Sequence, residues 1–123
     1  MPQAYLIAVK TALASSFTIV SFDVLEEWVQ PDRGYIRIRA SLQNGDFIEA
    51  SEYFTRQADS HASMRYRYQW MNGEKTILRK RWDNVPHHPN LMNFPHHIHL
   101  ADGEIVSGQS LSILVLLEIL ESE

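Results

Sequence analysis

The stretch RWDNVPHHPNLMNFPHHIH, residues 81–99, holds five of the chain's six histidines, spaced among three prolines. Imidazole changes charge near neutral pH, so this density points to proton transfer or to metal ligation. If residues 96–99 are extended, His97 and His99 share one side, about 6.5–7 Å apart along the strand, and His96 points away. Such a pair can chelate a divalent ion, with His87 or His88 as a third ligand. Asp83 is the one carboxylate inside the stretch, and histidines without further fixed carboxylates are a weak metal signal. No metal and no cofactor are therefore expected. A purely structural role, with Asp83, Asn84 and the histidines satisfying backbone groups of a proline-rich loop, stays open.

The alternative chemistry is acid/base catalysis on a phosphodiester. A base removes the proton of a ribose 2′-hydroxyl, an acid protonates the departing 5′ oxygen, and cations stabilise the charge growing on phosphorus. Cations precede the loop. From Arg65 to His99 there are six Lys/Arg against Glu74 and Asp83, a net +4, which leaves −8 for the rest of a chain whose net charge is −4. A basic, histidine-rich segment on an acidic body suits a local phosphate-binding face, and a merely solvated face is the competing account.

The elements that must position these residues belong to a chain of 123 residues, 45% apolar, long enough for one domain with one core. We treat residues 1–123 as that single domain. Cysteine is absent, which excludes a disulfide framework, a thiolate zinc site and a thiol nucleophile. The start, MPQAYLIAVKTALASS, lacks the pattern of an export signal, and the longest apolar run, Ile113 to Leu117, is too short to span a bilayer. A cytoplasmic protein without a membrane span is expected.

Residues 3–14 suit a short helix with Leu6, Ile7, Thr11 and Ala12 on it and Pro2 in its first turn. Phe17 to Val29 reads as a strand, ended by the turn QPDRG. Asn44-Gly45 and Asn72-Gly73 each mark a hairpin, because both residues of such a turn tolerate positive φ. With two-residue loops, Leu42 faces Phe47, Ile36 faces Tyr53 and Arg37 faces Glu52. In the second hairpin Tyr66 faces Arg79, Met64 faces Arg81, Tyr68 faces Ile77, and Arg65 faces Lys80. The last pairing sets two cations opposite each other, a destabilising arrangement that suggests a surface awaiting an anion. Residues 83–95 are a turn-rich loop, HHIHLADGEIV extends as a short strand with an Asp-Gly turn, and the end from Ser110 is a helix of about three turns. That helix is apolar over too wide an arc for a simple amphipath, so it is either deeply buried or shared with a second copy in a homodimer. The expected fold class is α+β, a mostly antiparallel sheet of five or six strands with a helix at each terminus.

The runs RYRYQW, RWDNVPHHP and FPHHIH, followed by a final apolar helix, resemble the TumE-type toxins of prokaryotic toxin–antitoxin pairs. The resemblance covers roughly residues 63–120; the first half is similar only in pattern, as a helix followed by strands. It implies a cytoplasmic toxin that acts on RNA, with a cognate helix-turn-helix antitoxin. The motif positions here are Arg81, Trp82, Asp83, Asn84, Pro86, His87, His88, Pro89, Phe94, Pro95, His96, His97 and His99. Roles come from the residues themselves: His97 and His99 as acid and base with His88 in reserve, and Arg79, Arg81, Arg65 and Arg67 as phosphate ligands. Tyr66 and Trp82 are candidates to stack on bases, and Asp83 to orient an imidazole. The expected activity is that of a metal-independent endoribonuclease; a noncatalytic protein whose histidine loop docks a partner or a metal is the alternative.

Overall fold

The computed structural model describes residues 2–57 and 60–122. A helix α1 (Pro2–Ser15) leads into seven strands, β1 (Ile19–Gln30), β2 (Arg33–Leu42), β3 (Phe47–Gln57), β4 (Ser60–Met71), β5 (Leu78–Asp83), β6 (His97–Leu100) and β7 (Ile105–Ser107), and helix α2 (Ile113–Ser122) ends the described chain. The strands form one antiparallel sheet in sequence order, β1-β2-β3-β4-β5-β6-β7. The α+β class and the terminal helices agree with the sequence. The count of seven exceeds the five or six expected because HHIHLADGEIV makes two strands: Gly103, at φ 91°, closes a turn that folds Ile105–Ser107 back onto His97–His99.

Alternation puts Ile36, Ile38, Ala40, Ile48, Ala50, Phe54, Tyr68 and Trp82 on one face, which both helices cover with Leu6, Val9, Leu13, Ile113, Leu116 and Leu117. On α1 the buried stripe is Leu6, Val9 and Leu13, spaced three and four apart, and Ile7 is exposed. Burial of Ile113, Leu116, Leu117 and Leu120 accounts for the apolar width of α2, on which Val115 stays exposed. Among the described residues the opposite face of the sheet carries no helix.

Both hairpin registers differ from those of two-residue loops. At the first, Gly45 N–H donates to Leu42 O (3.0 Å) and Gly45 takes φ 91°, which is a type I turn extended by a left-handed glycine bulge. The extra residue slips the pairing by one: Phe47 faces Ser41, Tyr53 faces Tyr35, Arg37 faces Ser51, and Glu52 faces Ile36. A one-residue slip exchanges faces. Glu52 therefore enters the core.

At the second, Asn72 Oδ1 accepts from the backbone N–H groups of Thr76 and Ile77, both at 2.8 Å, and Lys75 sits at φ 61°. The side chain of Asn72 thus organises a longer loop. Tyr68 faces Trp82, Gln69 faces Arg81 and Arg67 faces Asp83, so none of the four expected pairs forms. Lys80 lies on the core face, 5.6 Å from the centroid of the Trp82 ring, and Arg65 pairs across with Tyr53. The expected confrontation of Arg65 with Lys80 does not occur.

Candidate functional site

The site lies on the helix-free face, where β5 and β6 bring Asp83 opposite His97 and Arg81 opposite His99. The ladder, not the loop, sets these positions. Val85 N–H donates to Asp83 Oδ1 (3.1 Å), and Asn84 replaces a ladder partner by accepting from Tyr66 N–H (3.0 Å) and donating to Met64 O (3.0 Å). The proline loop then returns over this end of the sheet, bringing the His88 ring 4.8 Å from that of His97 and 6.0 Å from that of His99.

Asp83 and His97 are each 3% exposed. His97 lies on a strand, as the extended reading of HHIHLADGEIV expects, but it is buried, which alternation could not show. His97 Nε2 lies 2.8 Å from Asp83 Oδ1, and His97 Nδ1 lies 2.9 Å from Pro95 O. A carbonyl only accepts, so Nδ1 carries a hydrogen, and the 2.8 Å contact of Nε2 with Asp83 Oδ1 is a hydrogen bond when one of those two atoms also carries a hydrogen. His99 Nε2 sits 3.1 Å from His97 Nε2, 3.4 Å from Asp83 Oδ2 and 3.1 Å from Arg81 Nη2. Arg81 also donates through Nε to Asp83 Oδ2 (3.2 Å). Because the guanidinium only donates, His99 Nε2 serves it as acceptor. Burial holds the His99 pKa below the ordinary imidazole value, and the Arg81 cation adds to this while Asp83 opposes it. His99 is thus disposed to be a neutral base.

His88, His97 and His99 each offer a ring nitrogen, and these lie within 4.8 Å of one another, so the same three residues could hold a divalent ion. His96 points to the other face, as alternation requires. Its Nδ1 is 3.0 Å from the Tyr66 hydroxyl, which donates to Gln109 O (3.1 Å), and burial followed by the nearby His97 lowers its pKa.

The structure brings Asp83, His88, His97, His99 and Arg81 together, with Arg67 on the neighbouring strand and Arg65 further along it. It separates Arg79, which pairs with Asp46 at 3.3 Å beside the Trp70 indole. Tyr66 and Trp82 are buried on the core face and present no ring to a base. Pro95 O, which orients His97, carried no sequence signal, because any residue supplies a carbonyl.

A second buried carboxylate, Glu52, belongs to no site that the sequence suggested. A match to the family described as Toxin TumE covers residues 9–122. The chain belongs to this toxin family, and is accordingly the toxin component of a toxin–antitoxin system, with an antitoxin as counterpart. No curated protein and no solved structure matches it significantly. Among the described residues no helix is long and apolar enough to cross a membrane.

Proposed function

We propose that this toxin cleaves RNA at the Asp83–His97–His99 cluster by histidine acid/base chemistry, without a metal. The supporting observation is that two imidazoles, His88 and His99, stand 6.0 Å apart above a buried Asp83–His97 pair with Arg81 alongside. The side chain of His99 is 17% exposed against 3% for His97. His99 therefore takes the role of base and His88 that of acid, with His97 and Asp83 as positioning residues. His99 accepts the 2′-hydroxyl proton at Nε2, which Arg81 leaves as it turns to the phosphate, the oxygen bonds to phosphorus, and the bond to the 5′ oxygen breaks as that oxygen takes a proton from His88. The products are a 2′,3′-cyclic phosphate and a free 5′-hydroxyl. Arg81 stabilises the charge on the phosphoryl oxygens. In this reading the toxin works in the cytoplasm and a helix-turn-helix antitoxin restrains it.

Expression in cells tests it. Growth arrest should accompany RNA fragments with cyclic phosphate ends, and a folded His99→Ala variant should relieve both; arrest with intact RNA would sink the nuclease reading. The convergence of three imidazole nitrogens favours a second reading, in which His88, His97 and His99 would hold a divalent ion that would supply Lewis-acid chemistry at the phosphate. Cleavage abolished by a chelator and restored by zinc would select it.

A further inference from the structure

The helix-free face of the sheet continues away from the histidines as a lined trough. One groove of about 640 Å³ is bordered by Tyr35, Arg37, Arg39, Phe47, Arg67 and Lys75 among others. A neighbouring hollow of about 560 Å³, bordered by Trp28, Tyr35, Tyr53 and Arg65, shares Tyr35 and Ser51 with it. The ladder aligns these residues in rows. One row runs Trp28, Tyr35, Tyr53, Arg65 across β1 to β4. The next runs Glu26, Arg37, Ser51, Arg67, Asp83, His97 across β1 to β6. From Arg37 to His97 is four inter-strand spacings, about 19 Å.

We infer that this trough is a binding surface for single-stranded RNA, which lies across the strands with bases on Trp28, Tyr35 and Tyr53 and its backbone led along Arg37, Arg65 and Arg67 into the Asp83–His97–His99 cluster. The inference rests on the proposed RNA-directed function and names its substrate as unpaired. The Trp28 ring lies 6.1 Å from those of Tyr35 and Tyr53, a cluster of ring faces on the surface, with Trp28 39% exposed. Among the described residues Arg37 is ion-paired, to Glu49 at 3.2 Å, whereas Arg39, Arg65 and Arg67 make no ion pair. Rings supply faces for unstacked bases and guanidiniums without an acidic partner supply phosphate ligands, the combination that single-strand binders use. A purely acidic peptide would use the cations but not the row of rings, and duplex RNA would offer its stacked bases to neither.

The test is fluorescence anisotropy with a labelled twelve-nucleotide oligouridine over a salt series, with melting curves to confirm folding. Arg65→Gln combined with Arg67→Gln should weaken binding and lower the logarithmic salt slope by about 0.7 for each phosphate that is no longer neutralised. Trp28→Ala, at an exposed edge-strand position, should weaken binding about five- to a hundredfold. Lys10→Gln, on α1 behind the sheet, should change neither. If the wild type binds and cleaves RNA but the trough variants bind as it does, the trough is refuted and the nuclease reading stands. If the wild type neither binds nor cleaves any RNA, both fail. Equal affinity for a duplex, or displacement of the oligonucleotide by polyglutamate with Trp28→Ala neutral, also overturns the inference.

Discussion

Two buried carboxylates, on opposite faces of one sheet, differ in the partners that hold them. Glu52 is 1% exposed and accepts from the Tyr5 hydroxyl (2.8 and 2.9 Å), from the Ser63 hydroxyl and from Ile113 N–H at the start of α2 (3.2 Å). These partners come from α1, β4 and α2, so one side chain joins both helices to the sheet and caps one of them. Asp83 is nearly as buried, yet beside the Val85 N–H its partners are two imidazoles and a guanidinium. Hydroxyl and amide partners do not exchange protons near neutral pH, whereas imidazoles do. In the proposed function it is the kind of partner, and not burial, that distinguishes Asp83 from Glu52.

The comparison is sharpened most by removing one proton carrier. His99→Ala should lower the RNA cleavage rate by about 10²- to 10⁴-fold while the melting temperature stays near that of the wild type, since the residue touches the cluster and not the core. A rate unaffected in a folded variant would end the catalytic account.

On the other face, Glu52→Ala should remove the common acceptor of three donors and cost roughly 2–4 kcal/mol in urea unfolding, with the cleavage rate per folded molecule unchanged. A specific rate that fell with it would erase the distinction between the two acids. His97→Ala falls between the cases. It removes the partner of a buried carboxylate, and a loss of roughly 2–3 kcal/mol should accompany the loss of activity.

Two smaller effects depend on pH. Burial raises the Glu52 pKa against its hydrogen bonds, and an acid raised in the folded state contributes its full stability below the unfolded carboxyl value and loses it as pH climbs through the folded one. Glu52→Gln has no such loss. Its stability deficit relative to the wild type should therefore shrink as pH rises through this window, and a deficit that grows would mean the folded protein prefers the ionised form. At the other site, Arg81→Gln removes a cation that helps keep His99 neutral, so the acid limb of the cleavage profile should move to higher pH, whatever happens to the maximum rate. An unmoved limb would assign it to another group.

The histidine cluster was legible because alternation alone puts His97 and His99 on one side and His96 on the other, and Asp83 was the carboxylate within reach. Glu52 was not legible. Treating Asn44-Gly45 as a two-residue loop gave it Arg37 as a surface partner, and the Gly45 bulge, one residue long, turned it into the core. The second hairpin departed more widely, since Asn72 held a longer loop through its side chain. With that register went the expected exposure of Tyr66 and Trp82 and the grouping of Arg79 with Arg81.

What the residues determined by themselves is whatever depends on short-range periodicity and composition: two terminal helices, a chain of antiparallel strands, the family blocks around the histidines and the absence of thiol chemistry. Register, face and depth were decided by the tertiary structure. A turn can gain one residue at little local cost, yet that residue exchanges the faces of every position beyond it, and only the packing of Ile36, Ile38, Ile48 and Phe54 beneath α1 and α2 selects between the outcomes. Asp83 beside His97, and the aromatic row beside Arg65 and Arg67, follow from that selection.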